Sequence, residues 1–194
     1  MLERVSNVEL VGFTIRGYPG PGILLKSASG NRIRQNVISG NGESGIRLEG
    51  SNGNLVERNN TFDNRQSGVT LVSGSAKNVV QLNDTYGNRR AGIRLRRGGS
   101  GNVLFNNDSE DNGRQGILNQ STNGTVIRNN RSYDNKHSGI AILHSTNVLV
   151  ELNHAFGNRP DLYWDRFGTN TWTNNHCDSS VPRGLGVQSD SEHH

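Results

Sequence analysis

Cysteine is nearly missing from this chain. Cys177 stands alone, so no intrachain disulfide can form. Apolar residues are also few, at 30%, and the mean hydropathy of −0.70 would by itself point to disorder. No run approaches the roughly 18 consecutive apolar residues of a membrane span, and Met1 to Leu10 lacks the apolar core of a signal peptide. Aromatics reach only 6% and are scattered, so no platform for stacking bases is visible. The net charge, 21 − 17 = +4, is mild for 194 residues. Neither nucleic acid nor a membrane is therefore expected as a partner, whereas an acidic polysaccharide suits this charge. No stretch carries the helical period of 3.6.

What the chain has instead is strict repetition. Asn36, Asn59, Asn83, Asn107, Asn130 and Asn153 recur at steps of 23, 24, 24, 23 and 23. Asn41, Asn64, Asn88, Asn112, Asn135 and Asn158 keep the same steps, and so do Gly22, Gly45, Gly68, Gly92, Gly116 and Gly139. A period in this range marks a solenoid. The low apolar content then has a cause other than disorder, because short stacked coils need only a thin core and turn most residues outward.

Within each coil a first strand centres on Leu10, Ile33, Val56, Val80, Leu104, Ile127 or Val150. The asparagine follows, then a small residue two positions on, a loop, and a strand opened by the glycine. That last strand alternates, as in Gly45-Ile46-Arg47-Leu48 and Gly92-Ile93-Arg94-Leu95, which is the signature of one buried face. Ile46, Val69, Ile93, Ile117 and Ile140 point inward, as do Leu48, Leu71, Leu95 and Ile142, with Asn119 the odd member. The architecture is all-β: about 7–8 coils of 22–24 residues, stacked about 4.8 Å apart. The central asparagines are expected to form an inward ladder, since amides donate and accept, and to sit at corners because Asn tolerates the left-handed region. The N-x-Ser/Thr sequons at Asn59, Asn83, Asn107 and Asn130 follow from this geometry rather than from glycosylation.

The two ends depart from the repeat. Phe13 takes an asparagine slot, and Leu2, Val5, Val8, Leu10 and Val11 crowd an end with no capping helix. Such an end is an open strand edge that favours self-association. At the other end Tyr163 is expected in the Gly-Ile slot. Trp164 and Trp172 join it as an aromatic plug. One domain spans 1–180, and 181–194 forms a tail that drapes over the end or is disordered, its closing His193 and His194 resembling a tag remnant.

The pattern N-x-I-x-x-N-x-x-x-x-N-x-x-x-G-I-x-L resembles the right-handed parallel β-helix repeats of the pectate-lyase-like superfamily, and within it the NosD-type and mannuronan-epimerase-type repeats. The resemblance covers Val8 to Asp178. The segment Asp161-Leu162-Tyr163-Trp164-Asp165, with Asn170-Thr171-Trp172 and Cys177, is similar to terminal coils of secreted bacterial members, although the cysteine that often follows a Gly-Leu pair there is replaced by Gly186 after Gly184-Leu185. The resemblance implies a right-handed parallel β-helix, secreted or on the cell surface. Such folds host lyases, epimerases, hydrolases, adhesins and inert stalks. An Asp-Pro-His motif typical of the epimerases is not found, and neither is the calcium-binding nonapeptide.

Two groups of residues are candidates for function. Arg47, Arg94 and Arg96, with Glu49 and Gln120, lie on the outer face of the Gly-Ile strands, where arginines would hold uronate carboxylates by bidentate bonds. The resemblance adds that one arginine would serve as the base of a β-elimination. The ordinary alternative is a solvated sheet face. Asp84, Asp108, Glu110 and Asp111 cluster after the asparagine corner, and acids one coil apart suit Ca²⁺ or are simply solvated. Phe62, Tyr86, Tyr133 and Phe156 align, either to stack on sugar rings or as a seam under loops. His137, His144, His154 and His176 share no ligand spacing. Two functional classes result. One is a carbohydrate-associated β-helix that binds or processes an acidic polysaccharide, as lyase or epimerase if it is catalytic. The other is a non-catalytic stalk or self-associating scaffold.

Overall fold

The computed structural model describes residues 1–187. It is a right-handed parallel β-helix with three strands in each full coil. In one coil these are Leu55–Glu57, Asn60–Phe62 and Val69–Val72. Like strands of successive coils stack in register into three parallel sheets of eight, eight and nine strands, named here first, second and third in their order along the coil. No helix occurs among the described residues. Gln188 to His194, including the expected tag remnant, lie outside them.

The alternation read from the sequence sets the core. Ile46, Val69, Ile93, Ile117 and Ile140 are register partners and fully buried, as are Leu48, Leu71, Leu95, Asn119 and Ile142. The aliphatics of the first sheet and the column Ile38, Thr61, Thr85, Ser109, Ser132, Ala155 of the second close the other two sides. Each sheet faces the others across a thin interior, so a single coil would bury little and only stacking makes the core continuous. The glycine column is required by space. A Cβ on Gly45 would lie 2.8 Å from the Gly68 carbonyl oxygen and 3.0 Å from Asn64 Nδ2.

The central asparagines form the expected ladder. Asn83 Nδ2 donates to Asn107 Oδ1 at 3.0 Å, and Asn107 Nδ2 to Asn130 Oδ1 at 2.9 Å. Each Oδ1 also accepts the backbone N–H of the asparagine one coil earlier, as Asn83 N to Asn107 Oδ1 at 3.1 Å. The four sequon asparagines are buried within this ladder. A parallel ladder runs through Asn41, Asn64, Asn88, Asn112, Asn135 and Asn158. Another, headed by Asn31, Asn54, Asn78 and Asn102, was not expected. Phe13, in the slot where the central ladder would begin, contributes only its N–H, to Asn36 Oδ1 at 2.9 Å.

The corner chemistry differs from expectation. The ladder asparagines are not the left-handed residues. The residue before each one is, as with Arg58 (φ 52°), Leu82 (φ 55°) and Leu152 (φ 55°). That residue reverses the chain so the asparagine can enter with its amide pointing inward. Ladder formation thus selects Asn for hydrogen bonding, while the conformational cost falls on residues as poorly suited as leucine.

The ladder through Asn158 ends on a carboxylate. Asp161 Oδ1 accepts from Asn158 N (2.9 Å) and Nδ2 (3.1 Å), and Oδ2 accepts from Asp178 N, Ser179 N and Ser179 Oγ. At this end Leu162, not Tyr163, pairs with Ile140, so Tyr163 turns outward beside Ala141. Trp164 and Trp172 pair with the inward Ile142 and Val150 and are half-buried against the core, with Leu185 also packed on it. Cys177 continues the inward column of Ala155, and burial pushes its thiol up to about 11.

Candidate functional site

The outward positions of the third sheet run Leu24, Arg47, Thr70, Arg94, Leu118, Ala141 and Tyr163 along the stack. Two residues on lie Lys26, Glu49, Val72, Arg96, Gln120 and Leu143. Register therefore puts Arg47 and Arg94 on either side of Thr70, about 10 Å apart. They are not equivalent. Arg47 reaches Glu49 at 3.2 Å and Glu43 at 3.6 Å, so its charge is already matched, and the predicted Glu49 is its partner. Arg94 is half-buried, its Nε is shielded from solvent with no hydrogen-bond partner, and it makes no ion pair among the described residues. Burial, then the charges of Arg96, Arg90, Arg114 and Arg47, hold its guanidinium below the ordinary arginine range.

The loop leading into the third sheet supplies a rim that the sequence reading did not include. Backbone bonds from Gln66 to Glu43, Arg90 to Gln66, Arg114 to Arg90, His137 to Arg114 and Arg159 to His137 stack these residues in one column. Arg65, Arg89 and Lys136 lie beside it. The signal was present, since basic residues recur one or two positions after the second asparagine column. Arg90 and Arg114, with Arg94, Ala91, Gln115, Leu118, Gln120 and Leu143, line a cavity of about 180 Å³. Three arginines and no carboxylate or imidazole line it.

The acids lie on a different face, the second sheet. Asp84 and Asp108 are register partners, as expected from one-coil spacing, and both line two adjoining cavities of about 270 and 280 Å³. Partial burial and the charge of Asp108 push the Asp84 carboxyl up, and burial, then Asp108, Asp111 and Asp84, do the same to Glu110. Asp108 faces Arg131 at 3.8 Å. Asp111 occupies a left-handed corner (φ 50°). Among the described residues no group of three or more His, Cys, Asp or Glu is placed to hold a metal ion. The aligned aromatics stand on this same outer face as two stacked pairs, Phe62 with Tyr86 (4.9 Å between centroids) and Tyr133 with Phe156 (5.9 Å). Glu110 lies between the pairs. His154 stacks on His176, and His144 pairs with Asp165.

Residues 21–178 match the family model described as a right handed beta helix region. No curated protein matches the chain. Among solved structures, a double mutant of the periplasmic alginate epimerase AlgG is similar at 20% identity and a TM-score of 0.82, over 89% of this chain and 46% of that one. The A-module of the mannuronan C-5 epimerase AlgE6 from Azotobacter vinelandii aligns at 20% identity and a TM-score of 0.78, over 88% and 51%. An alginate lyase from a Paenibacillus strain aligns at 16% identity and a TM-score of 0.69, over 94% and 74%. At these identities the likeness is one of fold, and the chain spans about half the length of the two epimerase chains.

Proposed function

The chain belongs to the right-handed β-helix family, and from that premise we propose that it binds an acidic polysaccharide along the outer face of its third sheet. The observation that carries the reading is Arg94, a partly buried guanidinium among Arg90, Arg96 and Arg114 with no carboxylate of its own. Leaving such a group unpaired is costly unless an anion completes it. The basic rim runs parallel to the stack, so a polymer lying along the axis meets several cations. The fold relatives that act on alginate or mannuronan support this class of ligand. The same reading assigns the protein to the cell exterior or periplasm, where such polymers occur.

Arg94 and Arg96 are the residues assigned to the anion, with Gln120 beside them and Arg90 and Arg114 from the rim. Arg47 and Glu49 neutralise one another at its edge. Affinity electrophoresis through gels containing alginate, polygalacturonate or neutral dextran tests this. Retardation by the acidic polymers alone is expected, weakening with salt as exposed charges are screened. Arg94→Ala should weaken binding about 10- to 100-fold, the loss of a charge-assisted pair. Equal mobility in all three gels would sink the reading. Release of unsaturated sugar, followed by ultraviolet absorbance, would instead promote Arg94 from ligand to base.

A further inference from the structure

The rows of the third-sheet face differ in charge in a way that bears on which acidic polymer fits. Among the described residues, only the Arg94–Arg96 row carries unmatched cations on the strands of this sheet, since Lys26 is paired with Glu3 and Arg47 with glutamates. Toward the N-terminus, Thr70 is buried and its hydroxyl lies 2.8 Å from Ser44 Oγ. One row further, Arg47 is matched by Glu43 and Glu49. Toward the C-terminus the outer face turns apolar. Leu118 (8% exposed) and Ala141 (1%) form a small cluster outside the main core with Ala91, and Leu143 and Tyr163 pack against it half-buried. Beyond that row the rim carries Arg114 beside Leu118, then Lys136 and Arg159, all off the strands.

We propose that the Arg94 cleft takes one carboxylate-bearing sugar and that the strip of Leu118, Leu143 and Tyr163 takes the uncharged face of its neighbour, so that the ligand is an acidic heteropolysaccharide in which charged and neutral sugars adjoin. This rests on the binding role assigned above. A uniform polyuronate would lay its next carboxylate over the strip, where the strands offer no cation and Arg114, at the rim of the same cavity, is shared with the first carboxylate, so removing it from water is compensated only in part. In the other direction it would meet the carboxylates of Glu43 and Glu49. A neutral pyranose costs nothing of this kind and buries its C–H face on leucine and tyrosine.

The test compares two probes of matched length by titration calorimetry: hyaluronan fragments, in which each uronate alternates with an uncharged N-acetylated sugar, and polygalacturonate, charged at every residue. Hyaluronan is expected to bind about tenfold or more tightly per uronate, because only the homopolymer desolvates a carboxylate on the strip. Leu118→Lys should narrow or reverse that preference by giving the second carboxylate a partner. Leu143→Lys, at a more open position, repeats the test if the first variant fails to fold. If polygalacturonate binds as tightly as hyaluronan while Arg94→Ala abolishes both, the specificity claim falls and the binding role stands. If neither probe binds, both fall.

Discussion

Replacing Asn107 by leucine is the most direct test of what holds the stack together. Asn107 Oδ1 accepts from Asn83 N and Nδ2, and its Nδ2 donates to Val80 O (2.8 Å) and Asn130 Oδ1 (2.9 Å). The substitution removes four bonds, but not all partners are orphaned. Asn83 Nδ2 keeps Val56 O and Gln81 O, and Asn130 Oδ1 keeps the backbone N–H of residue 107. What remains are two backbone groups, the Asn83 N–H and the Val80 carbonyl, deprived of these bonds in a fully buried site. At about 1–3 kcal/mol each the gross loss is about 2–6 kcal/mol. Leucine returns roughly 1.5–3 kcal/mol through its own burial. The net expectation is a loss of about 1–3 kcal/mol, or roughly 3–10 °C in Tm for a chain of this size. Asn36→Leu at the ladder's first rung is the control, since it deprives only the part-buried Phe13 N–H and the Leu10 carbonyl on its lower side, which water can reach. It should cost under about 1 kcal/mol. Thermal melts followed by circular dichroism measure both. An Asn107→Leu protein as stable as the parent, or losses equal at the two rungs, would refute the idea that amide ladders stabilise the stack through buried partners.

Two further outcomes follow from the same geometry. Each ladder asparagine passes donors toward the C-terminus, and the ladder through Asn158 ends on Asp161, which receives five donated bonds, whereas the central ladder ends on Asn175, whose amide still donates to Val150 O. Asp161→Asn should therefore behave as a disruptive change, costing about 1–3 kcal/mol in urea melts because an NH₂ would face Ser179 and Asp178 N–H groups; a neutral outcome would contradict this account of how the ladder ends. On the acidic face the raised pKa of Asp84 means that the folded chain holds its proton more tightly than the unfolded one. That contribution is present below the ordinary value of 3.8 and lost as pH rises through the raised one. Asp84→Asn should accordingly raise Tm at neutral pH by about 1–3 °C, the relief of a partly buried charge and of its like-charge cross-strand pair with Asp108, and bring no gain in acid. A gain independent of pH would mean that the Asp84 charge is not its source.

Much of the fold was legible because a solenoid turns sequence offset into spatial contact. Residues 23 or 24 apart are vertical neighbours, so Ile93 over Val69, Asn83 over Asn59 and Asp108 over Asp84 could be paired from the period alone. Alternation then fixed which side chains enter the core. The site was less legible for a related reason. Arg47 and Arg94 hold the same position in the repeat, and periodicity cannot distinguish them. Their difference comes from long side chains reaching along the strand and around the corner of the same coil, to Glu49 and Glu43 in one case and to no carboxylate in the other. The rim of Arg90 and Arg114 was missed because it comes from loops, whose approach to the sheet face has no period-two signature.

The amino-acid order by itself determined the coil length, the buried columns and the amide ladders, since these depend on one residue type recurring at one spacing. Only the folded stack decided that the residue before each ladder asparagine is the left-handed one, that Leu162 rather than Tyr163 continues the core, and that Asp161 ends a ladder. It alone also decided which arginine is left without a counter-charge. Those outcomes depend on hydrogen-bond partners and side-chain reach at the ends and edges of the stack, where neighbours on one side are missing or different and the repeat no longer dictates what a residue meets.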